Sequence, residues 1–356
     1  MDTKTPLPGL INNILSASEG GELNISPPLP APIIEHYAPP PATIDFHTMH
    51  QGRATNTLAK IRTRIGSPAQ LNLYGDGVIE EKDFKLFIEK YKDLAHGVKP
   101  TAKMLLDALA ITATETNQRD TLVRLPLGQY MAWRGLQDVK EARKQVKDDI
   151  AALDKLRIEY RERRKGKQGD FLNISLSGGT NGIVNSIILF RFNPDFFNIL
   201  MSYPIMLYPK EALAINPKHN PHSYYFLRRI SEHKNMNYQK QNEDIISVKT
   251  LIEASPELPK YDELGEAGQV HKRIIDPFER DMDAIHCLKW NYCGKNETPI
   301  EPPATYAEFE RANVKITWIN YPIRVRRKIP GKKPKKQDLE GGGQQTPPEV
   351  NWGGNR

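Results

Sequence analysis

Cysteine is scarce: Cys287 and Cys293 are the only two in 356 residues. They stand six positions apart in a stretch that reads as strand, where extended backbone separates their Cα atoms by about 20 Å, too far for a bridge. A disulfide-stapled scaffold is therefore excluded, and the thiol usage suits a reducing compartment. No uninterrupted apolar run reaches the roughly eighteen residues that a membrane-spanning helix needs. The first thirty or so positions lack the charged start, apolar middle and small-residue cleavage site of a secretory signal. The expectation is a cytoplasmic protein with no membrane partner. Short-period repeats are also absent, which excludes solenoids and propellers. A net excess of either charge is nearly missing from the body. The formal net charge is +7, but from Arg324 to Arg356 nine Lys or Arg face only Asp338, Glu340 and Glu349, so the tail holds most of the excess. Any polyanion-binding surface in the body must come from local clustering.

What is present falls into five segments. Residues 1–66 contain "NISPPLPAPIIEHYAPPPATIDF", a proline-rich arm with no sustained period, expected to be extended or disordered. Residues 67–98 form a lead-in, where Phe84, Phe87, Ile88 and Tyr91 follow helical spacing in "IEEKDFKLFIEKYKDL". Residues 99–185 hold a helix from Thr101, an apolar patch "TLVRL", a short helix ending at Gly135, a helix behind the N-cap Asp138, and two strands, "LRIEYRERR" and "FLNISLSG". Residues 186–323 begin with a strand and linker helix, "IILFRFNPDFFNIL". The order then recurs: a helix from His222, a second behind Ser247, a third through "QVHKRIIDPFERDMDAI", then "CLKWNYCG" and "VKITWINYP". Pro277 should kink that third helix. Residues 324–356 form a basic Gly/Pro-rich tail that is too rich in breakers to fold alone. Helices followed by a two-stranded ribbon, occurring twice, predict a mainly helical α+β protein of two tandem winged-helix domains with flanking disordered arms.

The helix "DVKEARKQVKDDIAAL" is the most informative stretch. At about 100° per residue, Val139, Ala142, Val146, Ile150 and Leu153 fall in one arc of roughly 80°, and Lys140, Arg143, Lys144 and Lys147 in another of about 100°. The first arc packs on a core. The second either lies along an anion or is a solvated face whose cations pair with Glu141, Asp148 and Asp149. Arg161, Arg163, Arg164, Lys165 and Lys167 follow at once in the adjoining ribbon, so two basic clusters coincide as a recognition helix and a wing tip would. In the second half the corresponding candidates are His271, Lys272, Arg273 and Arg280, with Arg228 and Arg229 as phosphate contacts. There Asp276, Glu279, Asp281 and Asp283 offer the alternative of local ion pairs.

Signals for chemistry are weak. "SGGTNG" from Ser177 lacks the Lys-Ser/Thr ending of a nucleotide-phosphate loop and reads as a wing-side turn. "HNPHSYY" spaces His219 and His222 three apart across Asn220 and Pro221, unlike the paired histidines of rolling-circle nickases, so a turn and helix start with Tyr224, Tyr225 and Phe226 in the core is expected. His286, Cys287 and Cys293 lack a fourth ligand. No catalytic site, metal or cofactor is expected.

From about Thr101 to Tyr321 the chain resembles the replication initiator (Rep) proteins of plasmids and related mobile elements. The likeness rests on "LPLGQYMAWRGLQDVKEARKQVKDDIAAL", on the strand "ILFRFNPDF" leading into the second domain, on "SVKTLIEASPELPKYDE", and on Lys272 to Pro277, which match a "K-R-I-I-D-P" style run. The proline-rich arm, the segment near Ile79, the long second wing and the tail lie outside it. The resemblance implies tandem winged helices, binding to repeated origin sites on double-stranded DNA, recruitment of host replication proteins, and a homodimer alongside an origin-binding monomer. A winged-helix transcription regulator or autorepressor, and a nicking endonuclease acting through Tyr224 or Tyr225, are the alternatives.

Overall fold

A computed structural model describes residues 45–60, 77–81, 84–90, 98–164, 167–264, 269–294 and 297–322. The tail and residues 1–44 lie outside the described residues, so the expectations of disorder there are not addressed by it.

At the centre is α2 (Pro100–Glu115), apolar all round rather than on one stripe, with Leu105, Ala108, Leu109 and Ile111 fully enclosed. Pro100 opens it in the first turn, where the missing N–H costs nothing. Ahead of it come β1 (Phe46–His50), α1 (Arg53–Lys60), β2 (Gly77–Glu81) and β3 (Phe84–Ile88). After it run β4 (Leu122–Pro126), α3 (Leu127–Arg134), α4 (Val139–Asp154), β5 (Leu156–Arg164), β6 (Lys167–Ser175), β7 (Gly182–Val184) and β8 (Ile187–Arg191). Gly135, at φ +63°, closes α3 in the left-handed conformation that glycine adopts without a Cβ clash. A connecting stretch follows: α5 (Pro194–Ser202), β9 (Ile205–Pro209) and α6 (Lys210–Ala214). The second half holds α7 (Ser223–Met236), β10 (Ile245–Ser247), α8 (Val248–Ala254), α9 (Asp276–Asp283), β11 (Leu288–Cys293), α10 (Tyr306–Arg311) and β12 (Asn313–Trp318).

The two halves share a topology. In the first, β4 pairs with β8 and β8 with β7; in the second, β10 pairs with β12 and β12 with β11. Each half therefore has a helix, strand, helix, helix and an antiparallel pair whose last strand lies between the other two, with β5 and β6 inserted before the pair in the first half and α10 within it in the second. One hydrophobic core runs through both halves, from Leu105 and Val146 to Phe226, Phe278 and Val314.

Several expectations are corrected. The chain is mixed α/β, not mainly helical: four small sheets accompany the helices among the described residues. Part of the proline-rich arm is folded, since β1 pairs antiparallel with β9 and Phe46 and Met49 are buried. The lead-in predicted as a helix is the β2–β3 hairpin. Leu86 and Ile88 point inward from β3, opposite Ile158 and Leu156 of β5, so cross-strand burial overrides the helical spacing. The basic ribbon β5–β6 belongs to the four-stranded sheet β2-β3-β5-β6 rather than to the sheet of β4. The strand that closes the first helical unit is β8, and the expected boundary at residue 185 falls inside the β7–β8 turn.

Pro277 is accommodated without a break. A π turn, His271–Ile275, runs directly into α9, which carries Pro277 in its first turn, where the missing N–H costs least. Ile274, Phe278, Met282 and Ile285 of the expected stripe are all buried. Cys287 and Cys293 are free thiols.

Candidate nucleic-acid interface

The site is built on α4. Asp138 caps it, its Oδ1 accepting from the backbone N–H of Lys140 at 2.7 Å and of Glu141 at 3.0 Å. Such a cap contributes about 1 kcal/mol and fixes where the helix starts. Ala142, Val146, Ile150 and Leu153 are buried against the core, while Val139 stays 51% exposed because the helix begins beyond the core's edge. Asp149 is also turned inward, accepting from Thr101 Oγ1 of α2 at 2.7 Å, and burial pushes its carboxyl up to about 6.

The opposite face is cationic. Lys140, Lys144 and Lys147 are exposed, and none has an ion-pair partner among the described residues. Asp149 is withdrawn into the core and Glu141 and Asp148 stay exposed and unpaired, so intrahelical neutralisation does not occur. Arg143 is half-buried, and its Nη2 donates to Ser186 Oγ in the β7–β8 turn at 2.6 Å. α4 and that turn thus form one surface, anchored further by the Leu127 N–H, at the start of α3, donating to Ser186 O at 2.8 Å.

The "SGGTNG" stretch serves structure. Asn181 Nδ2 donates to Asp154 Oδ1 and Ser177 Oγ, and its Oδ1 accepts from the Arg191 N–H, tying the end of α4 to β8. A Cβ on Gly178 would come within 2.7 Å of Phe192 O, so the close backbone approach requires glycine.

The other predicted residues scatter. Arg161, Arg163 and Arg164 lie on β5 and Lys167 on β6, with Arg164 directly opposite Lys167; Lys165 lies outside the described residues. Lys272 and Arg273 are exposed on the π turn, without an ion pair among the described residues. His271 Nδ1 lies 2.8 Å from Asp276 Oδ1, and Arg280 Nη2 lies 2.7 Å from the buried Asp281. Arg229 pairs with Glu232 at 2.7 Å.

Arg228 is a correction. Instead of facing a phosphate it is 4% exposed and bonded twice to Asp107 of α2, from Nε to Oδ2 at 2.9 Å and from Nη2 to Oδ1 at 3.2 Å. Its Nη1 also donates to Asn56 Oδ1 of α1 at 2.8 Å. Asp107 Oδ2 further accepts from Tyr208 of β9 and Tyr224 of α7, at 2.9 and 2.8 Å. This buried network went unread in the sequence. Its signal was available: on a helical wheel Arg228 shares a face with Tyr224, Leu227 and Ser231, all buried.

Tyr224 and Tyr225, the nucleophile candidates of the nickase alternative, are both buried. Burial and the Asp107 charge hold the Tyr224 phenol well above its ordinary pKa, and burial does the same to Tyr225. His222 is buried, its Nδ1 2.9 Å from Ser255 Oγ, and burial lowers its pKa to about 4. Among the described residues no group of three or more His, Cys, Asp or Glu is placed to hold a metal ion, and no helix is long and apolar enough to cross a membrane.

No family model matches this chain, and no curated protein does. Among solved structures it is similar to a selenomethionine crystal structure of domains 2 and 3 of RctB, at 12% identity and TM-score 0.40, covering 76% of this chain and 99% of that one. A second structure of RctB domains 2 and 3 aligns at 11% identity and TM-score 0.35, covering 73% and 95%.

Proposed function

We propose that this chain is a sequence-specific double-stranded DNA-binding protein of the replication-initiator type, carried by a plasmid or integrative mobile element. The observation that carries the reading is the face of α4: three exposed lysines without an ion-pair partner among the described residues, beside an arginine bonded to the neighbouring hairpin. A major groove about 12 Å wide admits one helix, and such a face supplies both phosphate neutralisation and a side chain able to reach base edges. The topology supports it. Helix, strand, helix, helix and an antiparallel pair is the order of a winged helix, and it occurs twice in one chain. In this reading the reading heads are Pro100–Arg191 and Ser223–Trp318. The first wing is the β7–β8 turn, the second is the segment between β11 and β12, and α4 and α9 are the groove helices. The β5–β6 ribbon, with Arg161, Arg163, Arg164, Lys165 and Lys167, extends the basic surface along the backbone of the duplex.

The mechanism is positional. Phosphate contacts set register, groove side chains choose bases, and two heads span about two turns of duplex at repeated origin sites. No catalytic step and no cofactor enter it; host replication proteins and a second copy of the chain are the protein partners, in the cytoplasm. The same surfaces would serve an autorepressor, which promoter readouts distinguish from origin function.

The test is binding to duplex from the protein's own gene neighbourhood, against random duplex, across a salt series. Each phosphate contact contributes about 0.9 to the slope of log affinity against log salt. Replacing Lys140, Lys144 and Lys147 together by glutamine should therefore lower that slope by roughly 2 to 3 while the footprint stays at repeated sites. An unchanged slope, with binding abolished by removing residues 324–356, would assign all affinity to the tail and sink the reading.

A further inference from the structure

Arg143 is unlike the lysines beside it. They are exposed without partners, whereas its guanidinium is held at 2.6 Å by Ser186 Oγ, its one hydrogen bond among the described residues. That leaves most of a planar five-donor fork free, in a fixed orientation.

Ser186 occupies a costly position. It and Asn185 are the two central residues of the β7–β8 turn, at φ +61° and +48°. A two-residue hairpin of type I′ needs positive φ at both places, which asparagine tolerates and glycine adopts freely. Serine gains nothing from that backbone. Its hydroxyl is what glycine lacks, and the hydroxyl's partner is Arg143. The turn is meanwhile pinned by Ser186 O accepting from Leu127 N–H at 2.8 Å, so the clamp is anchored to the start of α3. Hairpin tip, α3 and α4 thus converge on one side chain of the cationic face.

We propose that Ser186 is a positioning residue for base reading. It holds the Arg143 guanidinium so that its free N–H edge meets the O6 and N7 acceptors of a guanine in the major groove, while Lys140, Lys144 and Lys147 neutralise flanking phosphates. The inference rests on the DNA-binding reading above. Guanine is favoured because its two acceptors match a fork of parallel donors, which a lysine cannot supply. Clamping matters because a free arginine side chain must be ordered when it binds, and here one anchor has already been made in the unbound protein.

The experiment uses the full chain, in wild-type, Ser186→Gly, Ser186→Asn and Arg143→Ala forms. Affinities are measured for the preferred site, for sites with one base pair changed at a time, and for random duplex, alongside thermal midpoints. Ser186→Gly keeps the positive φ and removes the hydroxyl. Its preference at one G·C position should fall about two- to tenfold, the ordering cost of one rotamer-rich side chain. Arg143→Ala should lose preference at that same position, and adding Ser186→Gly to it should cause no further loss. Random-duplex affinity should be unchanged, and the midpoint unchanged or raised, because glycine relieves the turn. Ser186→Asn, which keeps an acceptor oxygen in a tolerated backbone, should recover part of the preference. Wild-type discrimination at every position in Ser186→Gly, or a loss spread evenly over all sequences, would overturn the positioning role and leave DNA reading intact. A wild-type protein with no preference among sites would overturn both.

Discussion

Removing the Asp107 carboxylate should cost this protein more than any other single polar change among the described residues. Asp107 and Arg228 are each 4% exposed as side chains, and the carboxylate accepts from Tyr208, Tyr224 and twice from Arg228. Burial alone would lower the Arg228 pKa, but the Asp107 charge reverses this and holds it above its usual value. Both phenols stay neutral donors, since burial and the same anion raise them well above the ordinary tyrosine value. The group is thus one buried ion pair with its remaining lone pairs satisfied. Asp107→Asn preserves volume, removes the charge, and leaves an uncompensated guanidinium facing an amide. Breaking such a pair from one side costs about 3 to 5 kcal/mol. For a unit of this size that lowers the thermal midpoint by roughly 6 to 20 °C.

Urea denaturation of Asp107→Leu, Arg228→Met and the double variant Asp107→Leu/Arg228→Met closes a cycle, with Asp107→Asn measured beside it. An apolar pair often replaces a buried ion pair without loss, but here the Tyr208 and Tyr224 phenols lose their acceptor at about 1 kcal/mol or more each. The double variant should therefore be less stable than wild type and yet more stable than the sum of the single losses implies, by about 2 kcal/mol or more. Losses below about 1 kcal/mol in Asp107→Asn, or strict additivity, would refute the account of Arg228 as a buried partner and reopen it as a surface contact.

Two further outcomes follow from the same coordinates. Burial raises the Asp149 carboxyl to about 6, above its unfolded value, so the native state holds the proton more tightly; stability falls as pH rises from about 4 to 6, and the cost, at most about 3 kcal/mol, stands in full above pH 6. Asp149→Asn should stabilise the protein near pH 7.5 and have little effect near pH 4, where the carboxyl is protonated in the native state; a gain equal at both values would refute this. The second concerns spacing. Because both halves share one core, inserting about five base pairs between half-sites should reduce affinity to that of one head, and inserting about ten should not restore it, since the second site then lies about 34 Å farther along. Recovery at the longer spacer would mean that the halves separate.

How much was legible depends on whether a residue's role is local. The Asp138 cap, the α4 stripe from Ala142 to Leu153, the Gly135 stop and the core fate of Tyr224 and Tyr225 all follow from neighbours within one helical turn, and the structure bears them out, Val139 at the exposed start of the stripe excepted. The β2–β3 hairpin did not, although Leu86 and Ile88 alternate in strand fashion, because Phe84, Phe87, Ile88 and Tyr91 also fit a helix and only β5 decides between the periods. The ribbon that closes the first helical unit was sought at the densest cations, on β5–β6. Which strand pairs with β4 is a long-range fact, and the short turn Asn185-Ser186 carries no charge to advertise it. Arg228 shows the same limit, since a partner 121 residues away decides whether an arginine in a mixed helix faces solvent or a carboxylate.

The two halves share a topology and differ in electrostatics, which bears on how they would divide the work on DNA. On α4 the acids are withdrawn or unpaired and the lysines are left free. On the second third helix the acids are committed elsewhere, Glu279 accepting from Tyr292 Oη and Asp283 from Trp290 Nε1, each at 2.9 Å. Asp276 and Asp281 sit against His271 and Arg280. Only Lys272 and Arg273 of the predicted cations there remain without an ion pair among the described residues, at the π turn that leads into α9. The long connection between β11 and β12 adds α10, stapled to α8 by Lys249 and Glu310 at 3.0 Å and to the core by Phe309, and it brings Glu308 and Glu310 to that side of the second half. A groove helix so supplied with carboxylates gains little from deep insertion, because each acid brought near a phosphate is repelled. In the proposed reading, base choice would therefore fall to α4 and Arg143. The second half, tied to the first through Asp107 and Arg228, would serve as an arm whose Lys272 and Arg273, without an ion pair among the described residues, contact backbone and set the register of α4.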